Sequence, residues 1–191
     1  MEAESSDRGV VEVDPGLALT EDALRKSIRG NSTALLKRCQ DTPFAEIKIP
    51  LCRMELMTEV RLPMDPDVDR LCGEFSGGYK SGGPVFYVST TSYTLEVKMV
   101  TDEIRKMWSP TWQHKDQLFE EHLRSNPALL KYSNRMFFVW DGNHRLKAWL
   151  PYIEECHPED PAFHVPVRAI VLKVTDENRD LVLNAMTDWN K

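Results

Sequence analysis

Apolar side chains along the chain switch between two periods, and the switches divide it into elements. Residues 1–19 show no sustained period and predict a tail. Thr20 can cap a helix whose first turn holds Glu21 and Asp22; Gly30-Asn31 predicts a break, and Ser32 a second short helix. In 44–56, Ile47, Ile49 and Leu51 alternate with polar residues or proline, which marks a half-buried strand running into a loop. Residues 65–78 give the clearest helix. Asp65 can cap it, Pro66 suits its first turn, Val68, Leu71, Cys72 and Phe75 form one face, and Gly77-Gly78 stops it. A Gly-rich loop over 76–83 leads to a strand at 84–89, and 94–100 predicts another. Residues 101–108 fit a short helix or an extension of that strand. Residues 113–125 fit a helix with Leu118, Phe119, His122 and Leu123 together. The apolar run 135–141 predicts a buried strand that passes into a helix with Leu146, Trp149 and Leu150 inward and a kink at Pro151. A strand at 164–174 and an amphipathic helix at 176–189, with Leu181, Val182, Ala185 and Trp189 packing, complete the chain. Strands and helices mix without regular βαβ alternation, so the expected class is α+β.

Composition changes this picture in three places. With 191 residues, 41% of them hydrophobic, the chain can build one domain with a sizeable core. No apolar run approaches the roughly 20 residues of a bilayer span, and the acidic N-terminus resembles neither a secretory signal nor a transit peptide. The expectation is a cytosolic or nuclear protein with no membrane partner. The net charge of −6 is unevenly spread: residues 1–22 carry seven acids and one base, residues 23–53 seven bases and two acids. That excludes a basic footprint over the whole protein and leaves a local basic face on the early helices, where a solvated surface is the simpler reading. Cys39, Cys52, Cys72 and Cys156 form no C-x-x-C pair and have no histidine at zinc-finger spacing, so they predict buried reduced thiols.

The candidate chemistry sits at Asp141-Gly142-Asn143-His144-Arg145. A buried strand that ends in Asp-Gly and opens a helix has the geometry of a phosphate site. The first amides of the helix lack intrahelical partners, and the helix dipole adds roughly half a positive charge. Gly142 permits a sharp turn and close approach of an anion. His144 and Arg145 project from the first turn, Arg145 with a planar fork of donors, and Lys147 adds charge. Asp141 can hold a metal-bound water or a substrate hydroxyl. On this reading Arg145 is a surface residue that matters to the ligand and little to the fold. The plain alternative is an ordinary Asp-Gly cap followed by surface residues.

The segment FFVWDGNHRLKAW (137–149) resembles the strand–turn–helix signature of the ParB/sulfiredoxin-like superfamily, in which a G-x-x-R or G-x-H-R turn binds nucleotide phosphates. IKIPLCRMEL (47–56), DPDVDRLCGEF (65–75) and GGPVFYVS (82–89) resemble, in order, its early strand and loop, next helix and following strand. The resemblance covers about 44–150 and makes 90–135 look like an insertion. It implies one domain over 20–191, a small mixed sheet with flanking helices, and ATP or another nucleotide bound with Mg²⁺ by Gly142, Asn143, His144, Arg145 and Lys147. Sulfiredoxins carry a nucleophilic Cys where this chain has Asn143, and ParB CTPases carry a G-E-R-R-like turn and a following helix-turn-helix. The similarity is nearest to the D-G-H-H-R turn of the superfamily's free serine kinases, with Asn143 replacing the first His. In those kinases an early-loop Glu acts as base, a role that falls here on Glu55 or Glu59, and Glu59 is carried forward with Asp141 and His144 as the catalytic set.

Phosphotransfer to a small hydroxyl compound is the expected reaction. A ParB-like nucleic-acid-binding or nuclease module is the alternative from a different class, with the basic 23–53 segment for it and the acidic balance against it. A third reading is a catalytically degenerate ligand-sensing domain. Lys80 in the Gly-rich loop can reach a phosphate, though a plain linker is simpler. Trp108 and Trp112 suggest core packing or a pocket wall, and 101–125 is expected to flank the motif. His114 and His122 lie two helical turns apart, too far for one chelate, so no metal-ligand set is expected.

Overall fold

The computed structural model describes residues 21–57, 65–76, 85–151 and 166–189. Expectations for the tail 1–19, the caps Thr20 and Asp65, Glu59, the Gly77-Gly78 stop, the loop 77–83 with Lys80, and Cys156 lie outside the described residues. The side chains of Cys72, Phe75, Trp149, Leu150 and Trp189, expected inward, and those of Arg25, Lys26 and Arg29 lie outside them too.

The elements are α1 (Glu21–Arg38), β1 (Ile47–Ile49), a 3₁₀ turn (Leu51–Arg53), β2 (Met54–Leu56), α2 (Asp65–Ser76), β3 (Phe86–Ser89), α3 (Asp102–Met107), α4 (Pro110–Ser125), a 3₁₀ segment (Pro127–Tyr132), β4 (Phe137–Asp141), α5 (Asn143–Pro151), β5 (Val167–Val171) and α6 (Arg179–Trp189). The five strands form one mixed sheet in the order β1-β5-β3-β4-β2. β1 runs antiparallel to β5, β5 parallel to β3, β3 antiparallel to β4, and β4 parallel to β2. A mixed sheet with flanking helices is the architecture expected of this chain.

Strand periodicity sorts the core into two layers. Phe86 and Val88 of β3, Phe137 and Val139 of β4, and Val167, Ala169 and Val171 of β5 pack with Trp112, Phe119 and Leu123 of α4, Leu129 and Tyr132 of the 3₁₀ segment, and Leu146 of α5. The intervening Phe138, Trp140 and Ile170 pack with Leu36 of α1 and Val182, Ala185 and Met186 of α6. Both faces of β4 are covered, which explains why its sequence is continuously apolar rather than alternating. The Trp140 indole N–H donates to the buried Ser89 hydroxyl at 2.7 Å, so the largest of these side chains leaves no polar atom unsatisfied.

Four sequence expectations need correction, and one open alternative is resolved. α1 runs unbroken through Gly30-Asn31, since both are exposed and the helix there packs through Ser32 and Leu36. Residues 94–100 form no strand: Leu95 has φ 66°, and the segment makes only isolated bridges, Thr91 with Val97 and Met99 with Arg135. Residues 101–108 resolve as helix α3, because the Thr101 hydroxyl accepts from the Ile104 N–H at 3.2 Å and caps it. α4 starts earlier than its apolar stripe, at Pro110 behind the Ser109 cap. The stretch 90–135, read as an insertion, supplies Trp112, Phe119, Leu123, Leu129 and Tyr132 to the core and so is integral to the fold.

α4 is also held by charge. Arg53, fully buried, donates to Asp116 and Glu120, one turn apart on α4, and to the Arg135 carbonyl at 3.1 Å. Arg105 of α3 donates to the other oxygen of Asp116 at 2.9 Å. The Asn134 N–H and the Ser133 hydroxyl complete Glu120 at 2.7 and 2.8 Å. Every carboxylate oxygen in the cluster is partnered from within, which identifies it as a structural joint between α3, α4 and the sheet.

Candidate functional site

β4 carries the chain out of the core, and the break between strand and helix is one residue long. Gly142 has φ 114°. A side chain there meets Phe86: a Cβ would lie 2.3 Å from one ring carbon and 2.5 Å from the next. Glycine is therefore required twice, for the backbone angle and for the space. α5 starts at once, the Leu146 N–H donating to the Gly142 carbonyl at 2.9 Å. A register shift between Tyr87 and Val88 offsets the β3–β4 ladder here, so Asp141 ends opposite Tyr87. Burial raises the Tyr87 hydroxyl above its ordinary value, and the charges of Asp141 and Glu46 add to the effect. Such irregularities are over-represented beside active sites, where they re-aim a side chain.

Asn143, expected to touch phosphate, has a different task. Its side chain is buried and bridges two strands: Oδ1 accepts from the Met57 N–H at 3.1 Å, and Nδ2 donates to the Val139 carbonyl at 2.9 Å. It fixes the end of β2 against the turn. Asn143→Ala leaves a buried N–H and a buried carbonyl without these partners, and we expect a loss of about 2–3 kcal/mol in urea unfolding. Loss of less than about 0.5 kcal/mol would show that the bridge does not exist in solution.

Arg145 is placed more firmly than a surface ligand would be. Its guanidinium lies over the Phe86 ring, 4.2 Å from the centroid, and Nη2 donates to the Val85 carbonyl at 3.2 Å. Asp141 lies 3.8 Å away, one helical turn before it. The expectation of a residue with little structural role is thus corrected: Arg145 is half-buried and held on three sides, its fork preset before any ligand arrives. His144 stands 3.8 Å from Asp67 of α2, which packs along α5. Lys147 is half-buried on the next part of the same helix. Asp141, His144 and Arg145 therefore meet at one end of α5, with Asp67 beside them. Glu55 does not join them: it lies within β2, opposite Phe138, and pairs with Lys98 at 2.8 Å.

Trp112 is buried in the cluster that contains Leu146, and Trp108 packs against that cluster, so both serve as core. Two cavities border α4, and neither is lined by a residue of 141–147. Among the described residues no three His, Cys, Asp or Glu side chains gather as a metal site, His114 and His122 included. Cys39 and Cys52 are free thiols, and burial, above all other causes, raises both above the ordinary range. No described helix is long and apolar enough to cross a membrane. The Arg53 cluster escaped the sequence reading, although one signal was there: Asp116 and Glu120 share a helical face with Trp112, Phe119 and Leu123, and two acids in an apolar stripe need buried cations. No family model, no curated protein and no solved structure matches the chain.

Proposed function

We propose that this is a ParB/sulfiredoxin-like nucleotide-binding protein whose phosphate site is the Asp141–Lys147 turn and first helical turns. The observation that carries the reading is the junction itself. A glycine at positive φ delivers the chain from a buried strand into a helix whose first turn holds His144 and a preset Arg145. The helix N-terminus favours an anion, and the guanidinium adds a fixed donor fork.

Asp141 offers one carboxylate, which fits an Mg²⁺ ion that arrives with the nucleotide and takes most of its ligands from phosphate and water. When bound, such an ion neutralises charge on the phosphates. The chain's own residues bind and orient: Arg145 and His144 grip phosphate oxygens, and Lys147 adds long-range attraction. The preferred reaction is transfer to a small hydroxyl compound. The hydroxyl oxygen bonds to the terminal phosphorus, the bond to the bridging oxygen breaks, and Asp141 or Glu59 receives the proton.

Calorimetric titration with ATP and CTP in the presence of MgCl₂ tests the site. We expect Arg145→Ala to weaken binding about tenfold or more, the worth of a charge-assisted contact, and His144→Ala to weaken it less. Because Arg145 also touches Phe86 and Val85, its loss should lower apo stability by about 1–2 kcal/mol. Affinities are therefore compared at a temperature where both proteins are folded. Equal affinity in wild type and Arg145→Ala would remove the turn from the binding site. Release of ADP on adding L-serine as acceptor separates phosphotransfer from binding alone.

A further inference from the structure

A cavity of about 470 Å³ opens between β1, α4 and the segment Pro127–Tyr132, away from the Gly142 turn. Its size falls in the range of small-molecule sites, roughly 300–1,000 Å³. The buried part of its lining is apolar, formed by Ile47, Pro50, Phe119 and Leu129. Phe44 and Leu118 line it too and stay 40% and 44% exposed, an unusual cost for side chains of this size unless something covers them.

Three charged side chains line the cavity, and two of them are lysines. Lys48, Lys115 and His122 all line it, and neither lysine has an ion-pair partner among the described residues. The acid beside them, Glu46, is already neutralised. Arg168 donates two hydrogen bonds to its two oxygens, each 2.7 Å, and these bonds hold its carboxyl below the ordinary range. The lining thus combines an apolar interior with unpaired positive charge. The geometry points to a binding site for a small amphipathic carboxylate, its apolar body inside and its carboxylate at Lys48 and Lys115. The volume suits a ligand on the order of ten non-hydrogen atoms, given a water's share of about 30 Å³. An extended apolar protein segment would not need the two lysines, and a cationic ligand would be repelled by them.

Octanoate, octanol and octylamine, titrated calorimetrically into the whole chain, share one tail and differ in charge. We expect octanoate to bind at least about tenfold more tightly than octanol and octylamine to bind weakest. In the double variant Lys48→Gln/Lys115→Gln, octanoate should fall to the octanol level, while Leu118→Asp should weaken both. These side chains are at least partly exposed, and urea melts of each variant confirm that the fold is kept. Equal binding of octanoate and octanol to the wild type, or binding of neither, overturns the proposal. So does a concentration-dependent dimer that Leu118→Asp dissolves, since the cavity would then be covered by a second copy.

Discussion

Gly142→Ala is expected to destabilise the protein by about 3–5 kcal/mol. Two independent costs add. A non-glycine residue held at φ 114° pays backbone strain of about 1–3 kcal/mol. The new methyl also runs into Phe86, whose ring is 2% exposed and capped by the Arg145 guanidinium, so it cannot swing aside; overpacking of this kind costs about 1–3 kcal/mol more. The measurement is the shift in urea midpoint at unchanged slope. Phe86→Leu combined with Gly142→Ala separates the terms, because the smaller side chain relieves the contact and leaves the backbone strained. We expect the pair to lose at least about 1 kcal/mol less than the sum of the single losses. Strict additivity would mean that the ring is not beneath the turn.

The second large effect is Arg53→Met, with an expected loss of about 3–5 kcal/mol at pH 7, since it removes the buried guanidinium that two buried carboxylates share and leaves them with fewer partners. Its pH dependence distinguishes it from a packing defect. Burial pushes the Glu120 carboxyl up, but the hydrogen bonds from Arg53, Asn134 and Ser133 outweigh burial and hold it below the ordinary glutamate value. A lowered carboxylate stabilises the fold above its unfolded value and loses that contribution as pH falls through the folded one. Wild type should therefore lose stability below about pH 4.5. In Arg53→Met burial prevails, and protonation of Glu120 relieves it, so the variant gains relative to wild type on acidification. The difference between the two should shrink from pH 7 to pH 4. The same difference at both pH values would contradict the role of Arg53 as counterion.

What the chain discloses in advance follows from the range of the forces involved. The β4–Gly142–α5 unit was legible because its cause is local: an apolar run, an Asp-Gly step and helical spacing. Gly30-Asn31 misled because local helix weakness was overruled by the packing of α1 on α6, with Leu36 and Val182 in one cluster. The false strand at 94–100 has alternating residues, yet Leu95 turns the chain and packs onto the α1–α6 layer. At the site, glycine at 142 could be anticipated from turn chemistry. Phe86 beneath it, 56 positions away, could not, and neither could the clamp from Asn143 to Met57. Those partners are set by the sheet order, which no local period encodes. The Arg53 joint shows the same limit, its members being 63 and 67 positions apart.

That sheet order has a kinetic consequence. β1 is an edge strand whose sole neighbour is β5, and β5 also separates it from β3. Residues 47–49 must therefore wait for residues 167–171 to be synthesised before they can pair, and of the four ladders among the described residues only β3–β4 joins strands that are consecutive along the chain, with residues 90–136 between them. Closing loops of this length comes before any reward from the pairing, which places the chain among slowly folding topologies. On the ribosome its early strands emerge as unmatched edges, and the last strand to appear is the one that closes the sheet.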